Sequence, residues 1–287
     1  MSTIIKALFQ MSSWPMRTPV PYSGFHLVFG GAGILAAIFL AWKLPRGTHP
    51  QVLPACGLIL AVSEIYKQGF LYYIVNGGQY DWWYFPFQLC SIPMYLCLLL
   101  PFIKPRMSCR CVKAVHTFLQ DFALLGGVMA LAEPSGLMHP YLVLTLHGFI
   151  WHFILIFIGL YCAFAGLGGQ SLSEFADTLP FFCGCAAAAT FINVASHPYG
   201  NADMFYISPY YPWAGCLSSD CPDHRDGSRQ HTVSFIGCAG RFSVPCHAQA
   251  YPKAVLRQAH NVFNNCFPST VGNESSCMVQ GRAEPCR

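Results

Sequence analysis

Six stretches of roughly 20 predominantly apolar residues dominate this chain, at about 24 to 43, 52 to 74, 84 to 103, 112 to 132, 142 to 165 and 177 to 196. A stretch of that length spans the hydrocarbon of a bilayer as a helix, because hydrocarbon offers backbone N–H and C=O groups no partner outside the segment. The connections are short, so neighbouring spans pack antiparallel, and the expected fold class is all-α, a polytopic transmembrane bundle of six spans. Composition agrees: 54% of the residues are hydrophobic and 10% charged, against about 25% charged in an ordinary soluble domain. A formal charge of +4 spread between apolar blocks makes no basic patch, which excludes nucleic acid as a partner. Membrane lipids are the expected partners, no protein partner is implied, and no motif calls for a cofactor.

Lys43 and Arg46 follow the first span, and Lys104, Arg106, Arg110 and Lys113 follow the third, which places those loops on the cytoplasmic side. The loops at 75 to 83 and 133 to 141 lack Lys and Arg, and the N-terminal segment 1–23 then lies outside. Lys6 and Arg17 pull mildly the other way. That segment shows no apolar core followed by a small-residue cleavage site, so no removable signal peptide is expected. Trp82, Trp83, Tyr84 and Phe85 read as an interfacial aromatic girdle.

Residues 212–287 differ in character from the bundle at 24–211. They are rich in Ser, Arg, Pro, His and Cys, hold seven of the fifteen cysteines, and show neither helical periodicity nor a standard zinc spacing. Read one nucleotide forward, "DCPDHRDGSRQHTVSF" can encode IALTIGMGPGNILYL, a turn leading into apolar sequence. The tail is therefore expected to be an out-of-frame, disordered reading. The cysteines before residue 200 lie mostly singly in apolar segments, where a thiol acts as a small hydrophobe, so no disulfide scaffold is expected.

Polar groups inside spans are costly, at about 2.5–3.5 kcal/mol for each charged residue near the centre on insertion scales, and they tend to face the bundle interior. "FPFQLCSIPMYLCLLLPF" keeps Gln88, Cys90 and Ser91 near one end. Glu64 and Lys67 can pair at i,i+3 in the second span, Asp121 lies in the fourth, His147 and His152 in the fifth, and Asn193 near the end of the sixth. At 1.5 Å per residue, Cys90 lies roughly 9 Å and His152 roughly 15 Å into their spans. Gln88, Cys90, Ser91, Glu64, Asp121 and His152 are thus expected to line one pocket, with His147 and Asn193 among its polar groups. His147 and His152 are about 140° apart around a helix, so only one of them need face it. A thiol, an imidazole and an orienting carboxylate are the elements of acyl-transfer chemistry, with Cys90 as nucleophile, His152 as base and Asp121 as orienter. No metal is expected, since His147 and His152 do not form a His-Glu-x-x-His pattern. Two further readings stand beside this one: a proton-coupled transporter or lipid-binding bundle using Glu64, Asp121 and His152, and a scaffold whose polar groups only hold helices together.

"FPFQLCSIPMYLCLLLPF", "LGGVMALAEPSGL", "HGFIWHFILIFIGLYCAF" and "NADMFYISPYYP" resemble, in order and spacing, blocks of the YwaF-like family of bacterial integral membrane proteins, over roughly residues 20 to 211. The resemblance implies seven spans and a bacterial inner-membrane location. Members often carry His-Leu-Cys where this chain has Gln88-Leu89-Cys90. The same superfamily is similar to a vertebrate transmembrane cysteine acyltransferase, which moves acyl groups between lipids. Its catalytic His matches His152, whereas its Cys precedes a His at a position where this chain has Phe87 before Gln88, with Cys90 three positions later.

Overall fold

A computed structural model describes residues 2–200 and 202–210. The described residues form nine α-helices: α1 Ser2–Met11, α2 Gly24–Lys43, α3 His49–Phe70, α4 Ile92–Ile103, α5 Cys109–Phe118, α6 Leu124–Ala132, α7 Leu142–Phe164, α8 Leu172–Ala176 and α9 Leu179–Ser196. Short 3₁₀ and π turns extend several of them. A π turn, Leu119–Ala123, joins α5 to α6 in one continuous rod, and another, Leu71–Val75, prolongs α3. Counted with these extensions, six helical stretches among the described residues are long and apolar enough to cross a membrane: Gly24–Lys43, Arg46–Val75, Leu89–Arg106, Cys109–Ala132, Leu142–Phe164 and Leu172–Ser196. The out-of-frame tail expected at 212–287 lies outside the described residues.

Local chemistry sets the boundaries. Ser108 caps α5 by accepting from the Cys111 N–H at 3.3 Å, and Ser171 forms a capping box with Glu174 at the start of α8. Proline takes an early position in α3, α4 and α9, where the missing N–H would have had no helical partner. The third span begins at Leu89 and not at residue 84. Pro86 has no N–H to donate, Phe85 before it and Gln88 are extended, and only a 3₁₀ turn, Trp82–Tyr84, forms ahead of them.

The N-terminal segment is more ordered than its composition suggests. Phe9 of α1 packs on Tyr66, Phe70 and Tyr73, against Gly69, where a Cβ would collide with its ring. The chain then runs beside the 140–142 turn, with Met16 N–H donating to Pro140 O at 2.9 Å and Leu142 N–H to Trp14 O at 3.0 Å.

Helix α7 is the hub of the bundle, packing on α2, α3 and α6. Between lipid-solvated helices there is little hydrophobic drive, so close approach rests on small residues. Gly33 of α2 sits against the Phe153 ring. A Cβ on Gly127 would stand 2.6 Å from Ile156 and 2.9 Å from the His152 carbonyl, and one on Gly159 would stand 2.7 Å from Leu124. In α3, a Cβ on Gly57 would stand 2.9 Å from Cys97 of α4.

The two ends of the bundle differ in chemistry. Lys43, Arg46, Lys104, Arg106, Arg110 and Lys113 gather at one end, and the Trp82–Phe85 aromatics lie at the other. At the basic end Arg110 bonds both carboxylate oxygens of Asp177, at 2.9 and 2.6 Å, and Lys113 pairs with Glu174. The acidic 170s therefore offset part of the basic signal that orientation was read from.

Candidate functional site

Between the 3₁₀ turns Trp82–Tyr84 and Leu89–Ser91 the chain enters the bundle outside any helix, which is tolerated at membrane depth only where the backbone is otherwise satisfied. Neighbouring side chains supply the partners. Gln68 donates to the Tyr84 carbonyl, Tyr95 Oη to the Pro86 carbonyl at 2.7 Å, and Trp151 Nε1 to the Cys90 carbonyl at 3.2 Å. Ser91 N–H donates to Gln88 O at 2.8 Å, which leaves Ser91 buried in the turn that starts the span. Trp151 lies nine residues into α7, or roughly 13 Å along its axis. Its bond to Cys90 therefore puts the thiol-bearing turn well inside the bundle, although that turn is the first of its span.

Gln88 and Asn193 work alike. Gln88 Nε2 donates to Asp203 O at 2.8 Å and its Oε1 accepts from Phe205 N–H at 2.9 Å. Asn193, fully buried, donates to Met204 O at 3.1 Å and accepts from Met204 N–H at 2.7 Å. The two amides thus grip consecutive peptide units of the segment after α9. That segment is folded against the Cys90 turn, with the Phe205 ring stacked on Phe87 at 6.1 Å.

Cys90 and His152 flank the Gly126–Gly127 pair of α6. A Cβ on Gly126 would have the Cys90 Cβ as its nearest neighbour, at 4.0 Å, while one on Gly127 would meet the His152 backbone. His152 is buried, and its Nδ1 pairs with the Gly148 carbonyl at 2.7 Å. Since a carbonyl only accepts, Nδ1 carries a proton, and Nε2 is the nitrogen left to exchange one. No hydrogen bond joins Cys90 to His152.

Glu64 and Lys67 form the expected ion pair, with Lys67 Nζ 2.8 Å from Glu64 Oε1, the same oxygen that accepts from Gln68 at 2.7 Å. The Lys67 ammonium lies within electrostatic range of Cys90, His147, His152 and His139. Its field thereby links the second, third and fifth spans at one place. Outside the spans, burial first and then Lys67 hold the His139 imidazole below its ordinary range.

Both histidines of α7 border this region: His147 leans on Trp151, with ring centroids 5.5 Å apart, and acts electrostatically on His152. An angular separation at the helix axis does not keep apart imidazoles on a helix packed on several sides. Asp121, expected to orient His152, instead accepts from Gln120 Nε2 at 3.1 Å, and Gln120 also donates to the Gly169 carbonyl. Gln120 lies level with Gly159, about two turns along α7 from His152, so the Gly148 carbonyl fills the orienting position.

Trp151, Gly148, Gly126, Gly127 and Tyr206 complete the surroundings, and none of them was singled out from sequence. Trp151 and the glycines looked like ordinary span residues, and Tyr206 belongs to a segment without periodicity. Among the described residues no group of three His, Cys, Asp or Glu side chains is placed to hold a metal ion.

Six apolar helical stretches around a shared polar interior define a polytopic membrane protein. Residues 21–214 match the model of the TMEM164 family, and the chain belongs to that family of membrane proteins. Comparison with curated proteins found no match, and comparison with solved structures found none either.

Proposed function

We propose that this protein transfers or hydrolyses lipid acyl groups, using Cys90 as nucleophile and His152 as general base. The observation that carries the reading is that the Cys90 Cβ and the His152 backbone lie against adjacent glycines of α6, inside the bundle, with both side chains in the field of the Lys67 ammonium. The Gly148 bond supports the base role, since it takes the Nδ1 side of the ring and leaves Nε2 free to accept a proton. The resemblance of the Cys90 and His152 blocks to the YwaF-like family and to a cysteine acyltransferase points the same way, as does the bacterial inner membrane as location. Membrane lipids are the substrates this reading requires. Because Cys90 and His152 do not touch, proton transfer between them needs a side-chain rotation or one bridging water on substrate binding.

Proton-coupled transport through Glu64 has weaker support, because one oxygen of that carboxylate already serves both Lys67 and Gln68.

The test is covalent. Membranes containing the chain are treated with iodoacetamide and, separately, with an acyl-chain-labelled phospholipid, and label on Cys90 is read by mass spectrometry. A hydroxylamine-labile acyl group on Cys90 is expected, absent in Cys90→Ala and formed about 10²–10⁴-fold more slowly in His152→Ala. Equal lipid turnover in both variants and the wild type would remove the enzyme reading.

A further inference from the structure

The segment Ala202–Tyr210 is an oddity in an apolar bundle. Ala202, Asp203, Met204 and Phe205 are all buried, yet the chain there is irregular. Phe205 and Tyr206 adopt left-handed backbone conformations in succession, at φ 59° and 55°, a region that bulky residues avoid and that persists only where surroundings over-determine it. Here the surroundings do so. Gln88 holds Asp203 O and Phe205 N–H, Asn193 holds both backbone groups of Met204, and Asp203 Oδ1 accepts from Ser208 N–H at 2.9 Å. The pinned Phe205 amide is followed directly by Tyr206, and Gln88, which pins it, stands two residues before Cys90.

We propose that Tyr206 donates a hydrogen bond to the carbonyl oxygen of the acyl group under attack at Cys90, and that the strained Phe205–Tyr206 turn exists to present it. This rests on the acyl-transfer reading above. The phenol and the Cys90 thiol lie within electrostatic range of each other. Tyr206 keeps 42% exposure, so a substrate can reach it, whereas its neighbour Phe205 is packed away. Burial first, then Cys90 and Asp203, push the phenol up to about 12, so it carries its proton at neutral pH.

The step balances without an added reagent. The Cys90 thiol gives its proton to His152 Nε2, and the sulfur forms a bond to the ester carbonyl carbon as the carbonyl π pair moves onto oxygen, where the Tyr206 O–H donates. Collapse breaks the carbon–oxygen ester bond. The departing alkoxide takes the proton from His152, leaving a thioester. A lipid hydroxyl or water then attacks the thioester, and the thiol is regenerated.

The experiment uses membranes holding the full chain, mixed with phosphatidylcholine and phosphatidylglycerol vesicles that carry one fluorescent acyl chain. Turnover is followed alongside iodoacetamide labelling of Cys90. Tyr206→Phe, which keeps the ring, is expected to lower kcat roughly 10²–10³-fold with KM and Cys90 labelling unchanged. Turnover lost in Cys90→Ala but retained in Tyr206→Phe overturns the donor role alone. A Tyr206→Phe protein with altered Cys90 labelling also overturns it, since the phenol would then serve structure. Wild type and Cys90→Ala alike in transferring nothing would overturn the acyl-transfer reading and the donor role together.

Discussion

Single polar side chains in this bundle are mostly committed to backbone, which answers why "FPFQLCS" keeps them. Gln88 and Asn193 each satisfy one donor and one acceptor of the 203–205 segment, and removing either strands buried peptide groups. Gln88→Leu and Asn193→Leu are each expected to lower stability by about 1–3 kcal/mol. The double variant should lose less than the sum, because both hold the same segment; thermal unfolding in micelles measures this. Lys67 pairs with the buried Glu64, so Lys67→Met should destabilise by about 3–5 kcal/mol, and adding Glu64→Gln should recover part of the loss. Tyr206 offers a pH signature. With its folded value up near about 12, the folded state holds a proton that an unfolded phenol releases near 10, so stability from this group is present below pH 10 and lost as pH rises toward 12. Ultraviolet difference titration of wild type against Tyr206→Phe should show this tyrosine ionising late.

Helices meet here through glycine. In α7 the sequence is apolar almost throughout, and α6 approaches it closely where Gly127 and Gly159 remove a side chain. Both sites bring backbone against backbone: the His152 carbonyl against Gly127 and the Gln120 carbonyl, 2.8 Å from an added Cβ, against Gly159. Alanine at either position has no flexible side chain to displace, so Gly127→Ala and Gly159→Ala should each cost about 1–3 kcal/mol. Gly127→Ala should also lower turnover, since it pushes on the residue that carries the base, whereas Gly159→Ala should act on stability alone. Helix α4 shows the complementary case, where Pro86 and the extended Gln88 delay the α-helix and leave a 3₁₀ turn, Leu89–Ser91, to carry Cys90.

Taken as one molecule, the bundle has a basic end partly neutralised by its own α8 region. The Arg110–Asp177 and Lys113–Glu174 pairs lie on the basic side with their cations in solvent, where screening leaves each of them little weight in stability. Asp177→Asn should leave the unfolding midpoint nearly unchanged and strengthen binding to anionic vesicles, an effect that fades with added salt. The aromatic end holds the 82–91 stretch, the 139–141 turn and the 202–210 segment.

The number of membrane-crossing helices and their approximate limits could be read from the chain, because only a helix satisfies 20 successive peptide groups in hydrocarbon. The pairing of Glu64 with Lys67 was also legible, since both lie on one short stretch of helix. The grip of Gln88 on a segment 115 residues away was not, nor the bonds of Gln120 to Asp121 and to the Gly169 carbonyl. Those facts depend on how far each helix is shifted along its neighbours and on where the backbone leaves helical form. Hydrophobic periodicity reports only the path of one segment through the bilayer, so such relations arise when the glycine contacts set the offset between helices and the unpaired carbonyls of the irregular stretches find their donors.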